Sequence, residues 1–103
     1  MSGVQPKNGT VACGDAARVL RKWDDAQFDA IVTSPPYYRQ RDYDDPHQIG
    51  TETDPADYIL RLVNVFRECR RVLKPTGTLW LNLGDKYSDG GLLGMPWRVA
   101  LAL

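Results

Sequence analysis

The fold is decided by one stretch of sequence, Phe28-Asp29-Ala30-Ile31-Val32-Thr33-Ser34-Pro35-Pro36-Tyr37-Tyr38, in which an apolar run ends at two prolines and two tyrosines. Ile31 and Val32 are β-branched and have apolar neighbours, which is typical of a short strand buried on both faces in a parallel sheet. Pro35 and Pro36 cannot donate to a sheet, and each keeps the preceding residue out of the helical region. The backbone is therefore predicted to leave the sheet stiff and extended, with exposed carbonyls.

The chemistry is predicted at this junction, because ligands of open parallel sheets bind at the carboxyl ends of the strands. Ser34 offers a hydroxyl, Pro35 a carbonyl and Tyr37 a flat ring. These groups suit a flat heterocycle with an amino group, since the ring would stack on Tyr37 while both acceptors hold the amine hydrogens. Positioning and electrostatics would then supply most of the catalysis. The alternative is a rigid turn or a proline-rich ligand for a partner domain, which the preceding strand disfavours.

Two further strands and three helices are predicted around this junction. The strands are Thr10–Cys13 and Thr78–Leu83, and the helices are Ala16 to about Lys22, Pro55 to about Lys74, and Met95–Leu103, with a flexible loop at Lys86–Gly94. The long helix has the clearest pattern, because apolar residues recur at helical spacing and Pro55 follows a capping Thr53 or Asp54. A strand, a long helix and a strand form a right-handed crossover, so we predict a parallel sheet of at least three strands.

Polar residues follow each predicted strand, and they mark the candidate ligand site. Asp15, Ser34 and Asp85 stand at these positions, although loops are polar in any case. Asp15 is explained equally well as the N-cap of the first helix. Asp85 is predicted to contact substrate or cofactor.

The loop after the prolines is the candidate nucleic-acid contact. Tyr38, Arg39 and Arg41 combine charge with an aromatic ring, a mixture that suits a phosphate backbone and unstacked bases. Their alternative role is in a solvated loop, with the cations paired to nearby acids. Those acids are Asp42, Asp44, Asp45 and Glu52.

Composition bounds the class of protein. The chain has 103 residues, 43% hydrophobic and 25% charged, with zero net charge and a pI near 6.5. We expect one soluble globular unit, residues 10–103, after a flexible lead at residues 1–9, and any DNA contact must be local because no global basic field exists. Cys13 and Cys69 are predicted to be buried apolar residues, with no metal site. Neither a signal peptide nor a long apolar run is evident, which predicts a cytoplasmic protein without a membrane partner.

The motif Thr33-Ser34-Pro35-Pro36-Tyr37 resembles the catalytic motif of the DNA amino-methyltransferases, which methylate cytosine N4 or adenine N6 with S-adenosylmethionine. The likeness covers most of the chain, and it resembles the branch in which the catalytic half precedes the cofactor half. Its further parts are Gly14-Asp15, Gln48-Ile49-Gly50, Arg71-Val72-Leu73-Lys74-Pro75 and Thr78-Leu79-Trp80-Leu81-Asn82-Leu83-Gly84-Asp85.

The resemblance implies a Rossmann-like α/β methyltransferase fold, of which this chain would hold a partial parallel sheet with flanking helices. It implies a flipped DNA base as substrate, a catalytic Ser34-Pro35-Pro36-Tyr37, and cofactor contacts from Asp15, Ser34 and Asp85. Serine at the head of the motif favours cytosine N4 over adenine N6. Restriction-modification or phage defence would be the usual setting.

The family's glycine-rich cofactor loop, of the form F-x-G-x-G, and its target-recognition region have no match in the chain. In this branch both follow the last helix. We therefore expect an N-terminal catalytic fragment whose cofactor loop comes from a C-terminal half beyond Leu103 or from a second chain. Two alternatives stay open, a non-catalytic remnant or interaction module, and a methyltransferase acting on RNA or a protein amine.

Overall fold

The structure is a computed structural model that describes residues 6–88 and 90–103. In chain order its elements are α1 (Ala16–Arg21), β1 (Phe28–Thr33), α2 (Pro55–Val72), β2 (Leu73–Leu81), β3 (Tyr87–Ser88), β4 (Gly91–Leu92) and α3 (Met95–Ala102). Contacts divide the chain into two compact units, and the predicted domain at residues 10–103 stays a prediction. The first unit contains the residues up to Val32 and Asn64–Trp80, and the second contains Thr33–Val63 and Leu81–Leu103.

β1 and β2 form a two-stranded sheet. Ala26 donates its N–H to the Arg71 carbonyl over 2.9 Å, and farther along both segments Asn82 donates to the Thr33 carbonyl over 3.0 Å. The partners advance along the chain together, so the pairing is parallel. The prediction of an α/β fold with a parallel sheet and helices is confirmed at this level.

The predicted third strand, Thr10–Cys13, is wrong. The segment has no strand structure and is exposed, with Val11 at 95%. A strand is stable only when its backbone pairs with a neighbour, and no described strand pairs with this segment. The expectation that β1 is buried on both faces is also wrong, because Val32 is 80% exposed. Cys13, predicted to be buried, is exposed, whereas Cys69 is buried.

α2 begins where its sequence predicts. Asp54 caps it, since Ala56 donates its N–H to Asp54 Oδ1 over 2.9 Å, and Pro55 occupies the first position. The helix ends at Val72 and β2 follows directly, two residues before the predicted end, which is within the usual scatter of helix boundaries. One side of the helix carries its buried residues, which are Tyr58, Leu62, Phe66, Cys69 and Val72.

Arg71 organises the first unit. Its guanidinium donates to the carbonyls of Leu20 and Trp23, over 2.7 and 2.8 Å, and pairs with Asp25 and Glu68 at 2.6 Å each. These bonds fix the segment that connects α1 to β1. Arg71 thereby supplies an additional donor to main-chain carbonyls at the end of α1 and just after it.

In the second unit, β3 and β4 form an antiparallel hairpin in which Tyr87 pairs with Leu92, where a flexible loop was predicted. α3 follows as predicted, and it buries Met95 and Val99. Within residues 6–88 and 90–103, no helix is long and apolar enough to cross a membrane. Of the predicted lead, residues 1–5 lie outside the described residues, and residues 6–9 have no helix or strand.

We expect Leu62→Ala to lower the free energy of unfolding by about 2–5 kcal/mol, because it removes a side chain that is 1% exposed and leaves a cavity. Leu60→Ala is the matched control, since Leu60 lies on the same helix but is 56% exposed. Urea unfolding followed by circular dichroism measures both. Equal losses in the two variants would contradict the buried face assigned to α2.

Candidate nucleobase and phosphate site

The segment Ser34–Tyr37 leaves the end of β1 without helix or strand structure, as the two prolines predict. Ser34 is exposed, whereas Pro35, Pro36 and Tyr37 are half-buried. Within the described part of the chain, neither the Ser34 hydroxyl nor the Pro35 carbonyl takes part in a hydrogen bond. Two acceptors are thus available next to an aromatic ring.

Tyr58, a residue of α2, fixes this segment through a hydrogen bond. Its hydroxyl donates to the Pro36 carbonyl over 2.7 Å, and its side chain is fully buried. Burial, followed by the negative charge of Glu52 and the proximity of Tyr37, raises the pKa of Tyr58. The hydroxyl therefore stays protonated and keeps its role as a donor. This function could not be predicted from the sequence, because an aromatic residue at a helical spacing is also an ordinary core residue.

Gly50 supports the same segment at the level of its main chain. A Cβ built on Gly50 would lie 3.0 Å from the Tyr37 carbonyl oxygen, and the φ of Gly50 is +117°, which side chains disfavour. Its carbonyl accepts the N–H of Arg39 over 2.6 Å. The glycine of Gln48-Ile49-Gly50 thus allows the main chain at position 50 to lie close to the main chain of Tyr37.

The prediction that Tyr38 contacts DNA is corrected by its burial. The side chain is 4% exposed, its ring lies 5.3 Å from the Tyr58 ring between centroids, and its hydroxyl donates to the Thr53 carbonyl over 2.8 Å. A ring enclosed in the core cannot stack on a base. Tyr38 instead packs the predicted site segment against the start of α2.

Arg39 and Arg41, hereafter the arginine pair, line a cleft of about 350 Å³ together with Gln40, Asp42 and Thr51. Both arginines are exposed. Neither forms an ion pair with a described residue, and Arg39 makes one long hydrogen bond, from Nη1 to the Glu52 carbonyl over 3.5 Å. The alternative in which nearby acids neutralise these cations is therefore not supported, and the cleft offers two guanidinium groups to an anion.

Three of the four acids near the arginine pair have other partners. Glu52 pairs with Arg61 at 2.6 Å and also accepts the N–H of Gly50. The carboxylates of Asp42 and Asp45 each accept a main-chain N–H two residues ahead, over 2.8 Å. None of the described acids forms an ion pair with Arg39 or Arg41, so both guanidinium groups remain available in the cleft, which Asp42 also lines.

The cleft is held by side-chain hydrogen bonds that the sequence did not indicate. Gln40 donates from Nε2 to the Asp85 carbonyl over 3.0 Å, and Lys86 donates from Nζ to the Arg39 carbonyl over 3.1 Å. Gln48 donates from Nε2 to the Arg41 carbonyl over 2.9 Å. These contacts fix the main chain of the arginine pair while both side chains remain at the surface.

Asp85 caps the start of α3, although it precedes that helix in the chain by an intervening hairpin. Its carboxylate accepts the N–H groups of Lys86, Gly94 and Met95 over 2.8–3.0 Å. Burial alone would raise the pKa of Asp85, but these three hydrogen bonds and the positive charge of Arg98 outweigh it and hold the pKa below its ordinary value of 3.8. The observed role is structural, and the predicted contact of Asp85 with a cofactor stays a prediction.

Asp15 lies in the first unit, where its Oδ2 accepts the N–H of Arg18 over 3.1 Å and caps α1. The capping role is confirmed. Oδ1 has no hydrogen-bond partner in the described part of the chain, so one oxygen remains available for a cofactor hydroxyl or amine. Among residues 6–88 and 90–103, no group of three or more histidine, cysteine, aspartate or glutamate side chains is arranged to hold a metal ion.

We expect Asp85→Asn to remove a stabilisation that depends on pH. Because the folded pKa lies below 3.8, the carboxylate stabilises the fold above that pH, and this contribution is lost as the pH falls through the folded pKa. The variant should unfold more readily than the wild type at pH 7, and the difference should shrink below pH 3.8. Urea unfolding from pH 7 to 2 measures it.

Asp44→Asn is the control at pH 7, because Asp44 is exposed and its carboxylate accepts no hydrogen bond from a described residue. A difference between Asp85→Asn and the wild type that stays constant with pH would contradict the cap.

The family model described as DNA methylase of the N6 and N4 type matches residues 28–103. The type II methyltransferase M.SmaI of Serratia marcescens is 40% identical over 90% of this chain, and M.Cfr9I of Citrobacter freundii is 38% identical over 87%. M.MwoI of Methanothermobacter wolfeii is 45% identical over 89% of the chain.

The chain spans 42%, 40% and 14% of the lengths of these three relatives. No solved structure matches it. The matched region contains the whole of the Ser34–Tyr37 segment, the arginine pair and Asp85, and it confirms the resemblance that the motif indicated. The chain belongs to the family of N6 and N4 DNA methylases.

Proposed function

We propose that the chain carries the base-binding part of an S-adenosylmethionine-dependent DNA methyltransferase that methylates an exocyclic amine. The observation that carries this proposal is the pair of free acceptors, the Ser34 hydroxyl and the Pro35 carbonyl, beside the Tyr37 ring. The relatives are named type II methyltransferases, which supports the same activity and a restriction-modification setting.

The target base leaves the duplex, at a cost of a few kcal/mol, and stacks on Tyr37. Ser34 Oγ and the Pro35 carbonyl accept the two amine hydrogens. An aromatic amine is a poor nucleophile because its lone pair is delocalised into the ring, and acceptors that hold both hydrogens favour a localised lone pair. Preorganised acceptors of this kind stabilise the positive charge that develops on the amine during the reaction.

S-adenosylmethionine, when bound, supplies the methyl group. Asp15 is the residue that best fits it, because one carboxylate oxygen is available, whereas both oxygens of Asp85 accept main-chain N–H groups. Ser34, exposed at the end of β1, is the second candidate contact. We propose that the chain is part of a Rossmann-like fold completed by a segment that carries the glycine-rich cofactor loop, in a C-terminal half or a second chain.

No dedicated base is required. The methylated amine is strongly acidic, so its proton passes to solvent, either through the Ser34 hydroxyl, which releases its own hydrogen to water as it accepts the proton, or directly. Exposure of Ser34 supports the second route. The serine at the head of the motif favours cytosine N4 over adenine N6 as the methylated atom.

The arginine pair is proposed to contact the DNA backbone. Guanidinium groups bind phosphate oxygens in two-point geometry, and such contacts orient the duplex without reading its sequence. The zero net charge of the chain means that this local cleft, and not the overall field, supplies the attraction.

We expect the chain, joined to the segment that carries the cofactor loop (the longer reading frame or the second chain), to transfer labelled methyl groups from S-adenosylmethionine to DNA. Tyr37→Ala should lower kcat/KM by about 10- to 100-fold, because base stacking on an aromatic ring contributes about 1–3 kcal/mol, whereas Tyr37→Phe should keep most activity. Ser34→Ala should lower kcat by about 100-fold, in line with the loss of one preorganised polar group.

Ser88→Ala is the matched control for Ser34→Ala, since Ser88 is an exposed serine of β3 in the same unit. Digestion of the labelled DNA to nucleosides separates N4-methylcytosine from N6-methyladenine. Label on RNA or on protein, but not on DNA, would overturn the proposed substrate. An absence of transfer together with no thermal shift on adding S-adenosylmethionine would support a non-catalytic module instead.

We expect the double variant Arg39→Gln/Arg41→Gln to weaken DNA binding equally for different sequences, because phosphate contacts carry no base information. The slope of log K against log salt concentration should fall by about two, one for each lost phosphate contact. Arg67→Gln is the matched control, an exposed arginine of α2 outside the cleft. A slope that is unchanged in the double variant, or equally reduced in the control, would exclude the cleft as the phosphate site.

A further inference from the structure

Gly84 lies against the ring of Tyr37, within the second unit. A Cβ built on Gly84 would be 2.5 Å from Cε2 of that ring, 2.8 Å from Cδ2 and 3.2 Å from Cζ. Real Cβ atoms essentially never approach other heavy atoms closer than 3.0 Å. The ring therefore occupies the volume that any side chain at position 84 would need.

The glycine at position 84 is required for space and not for its backbone conformation. The described glycines with positive φ are Gly9, Gly14, Gly50, Gly90 and Gly94. Gly84 is not among them, so a residue with a side chain would suit its main chain. The constraint on position 84 comes from the Tyr37 ring, to which all three of the nearest atoms belong.

The main chain on the other side of this contact is held in place. The Pro36 carbonyl accepts from the buried Tyr58 hydroxyl, and the Tyr37 carbonyl lies against Gly50. A side chain at position 84 could not be accommodated by a simple shift of the Tyr37 backbone. It would rotate the ring about the side-chain torsions and so change the surface that the ring presents.

We propose that Gly84 is a positioning residue for Tyr37: its missing side chain creates the place in which the ring sits, and so sets the ring's orientation towards the target base. This inference rests on the proposed function for its catalytic consequence. The positioning itself is a property of the second unit and is tested separately from catalysis.

The test compares Gly84→Ala with Gly91→Ala. A Cβ built on Gly91 would have no neighbour within 4 Å, and the φ of Gly91 is not positive, so the same chemical change there meets open space. Ring ¹³C-labelled tyrosine provides the first measurement, with the Tyr37 signal assigned through Tyr37→Phe. We expect Gly84→Ala to shift the Tyr37 ring resonances and Gly91→Ala to leave them in place.

The second measurement is steady-state methylation of DNA by the chain joined to the segment that carries the cofactor loop. We expect Gly84→Ala to lower kcat/KM by about 10- to 100-fold, since a displacement of about 1 Å of a positioning group has an effect of this size. In a Tyr37→Ala background the same substitution should change kcat/KM by less than about twofold, because its effect acts through the absent ring. An equal loss in both backgrounds would overturn the proposal, as would unshifted Tyr37 resonances.

If Gly84→Ala fails to fold, the double variant Gly84→Ala/Tyr37→Ala decides. Recovery of folding on removal of the ring supports the contact, and continued failure overturns it. The proposed function fails separately, namely if the wild type methylates no DNA. The resonance comparison then still tests the position of the ring.

Discussion

The hydrogen bond from the buried Tyr58 hydroxyl to the Pro36 carbonyl is the contact on which the candidate base site depends. Two consecutive prolines remove two donors from the main chain, so the carbonyls around them have few local partners. A polar group left unpaired in the interior costs about 1–3 kcal/mol, and Tyr58 removes this cost at Pro36. Because Tyr58 stands in the first turn of α2, which Asp54 caps, the segment is fixed to a regular element.

The two proline carbonyls therefore have different roles, one in holding the segment in place and one in the proposed chemistry. Pro36 is used by the scaffold, whereas the carbonyl of Pro35 accepts no hydrogen bond from a described residue. Gly50 and Gly84 then confine Tyr37, one at its main chain and one at its ring. A functional group is precise when the residues around it are themselves fixed, and here each support is either a regular element or a close packing contact.

Much of the fold followed from the sequence, and the failures share a physical cause. The cap and stripe of α2, the strand before the prolines and the start of α3 depend on local signals, and all three were predicted. The segment Thr10–Cys13 has strand composition, but a strand also requires a partner, which composition does not contain. The prediction that Tyr38 contacts DNA failed for a similar reason, because only tertiary contacts decide whether an aromatic residue in a polar loop faces solvent or core.

The charges of the cleft show the same dependence on tertiary contacts. The four acids and the arginine pair can be counted from the sequence, and the count predicts mutual pairing. Glu52 instead pairs with Arg61, and the carboxylates of Asp42 and Asp45 accept main-chain N–H groups, so the count does not predict which ion pairs form.

The position of Asp85 after β2 is typical of a ligand residue. Both of its carboxylate oxygens nevertheless accept main-chain N–H groups, including those at the start of α3. A polar side chain at a strand end is therefore a candidate for chemistry only when its hydrogen-bonding capacity is not already used by the fold. By that criterion Ser34 and the arginine pair are stronger candidates than Asp85.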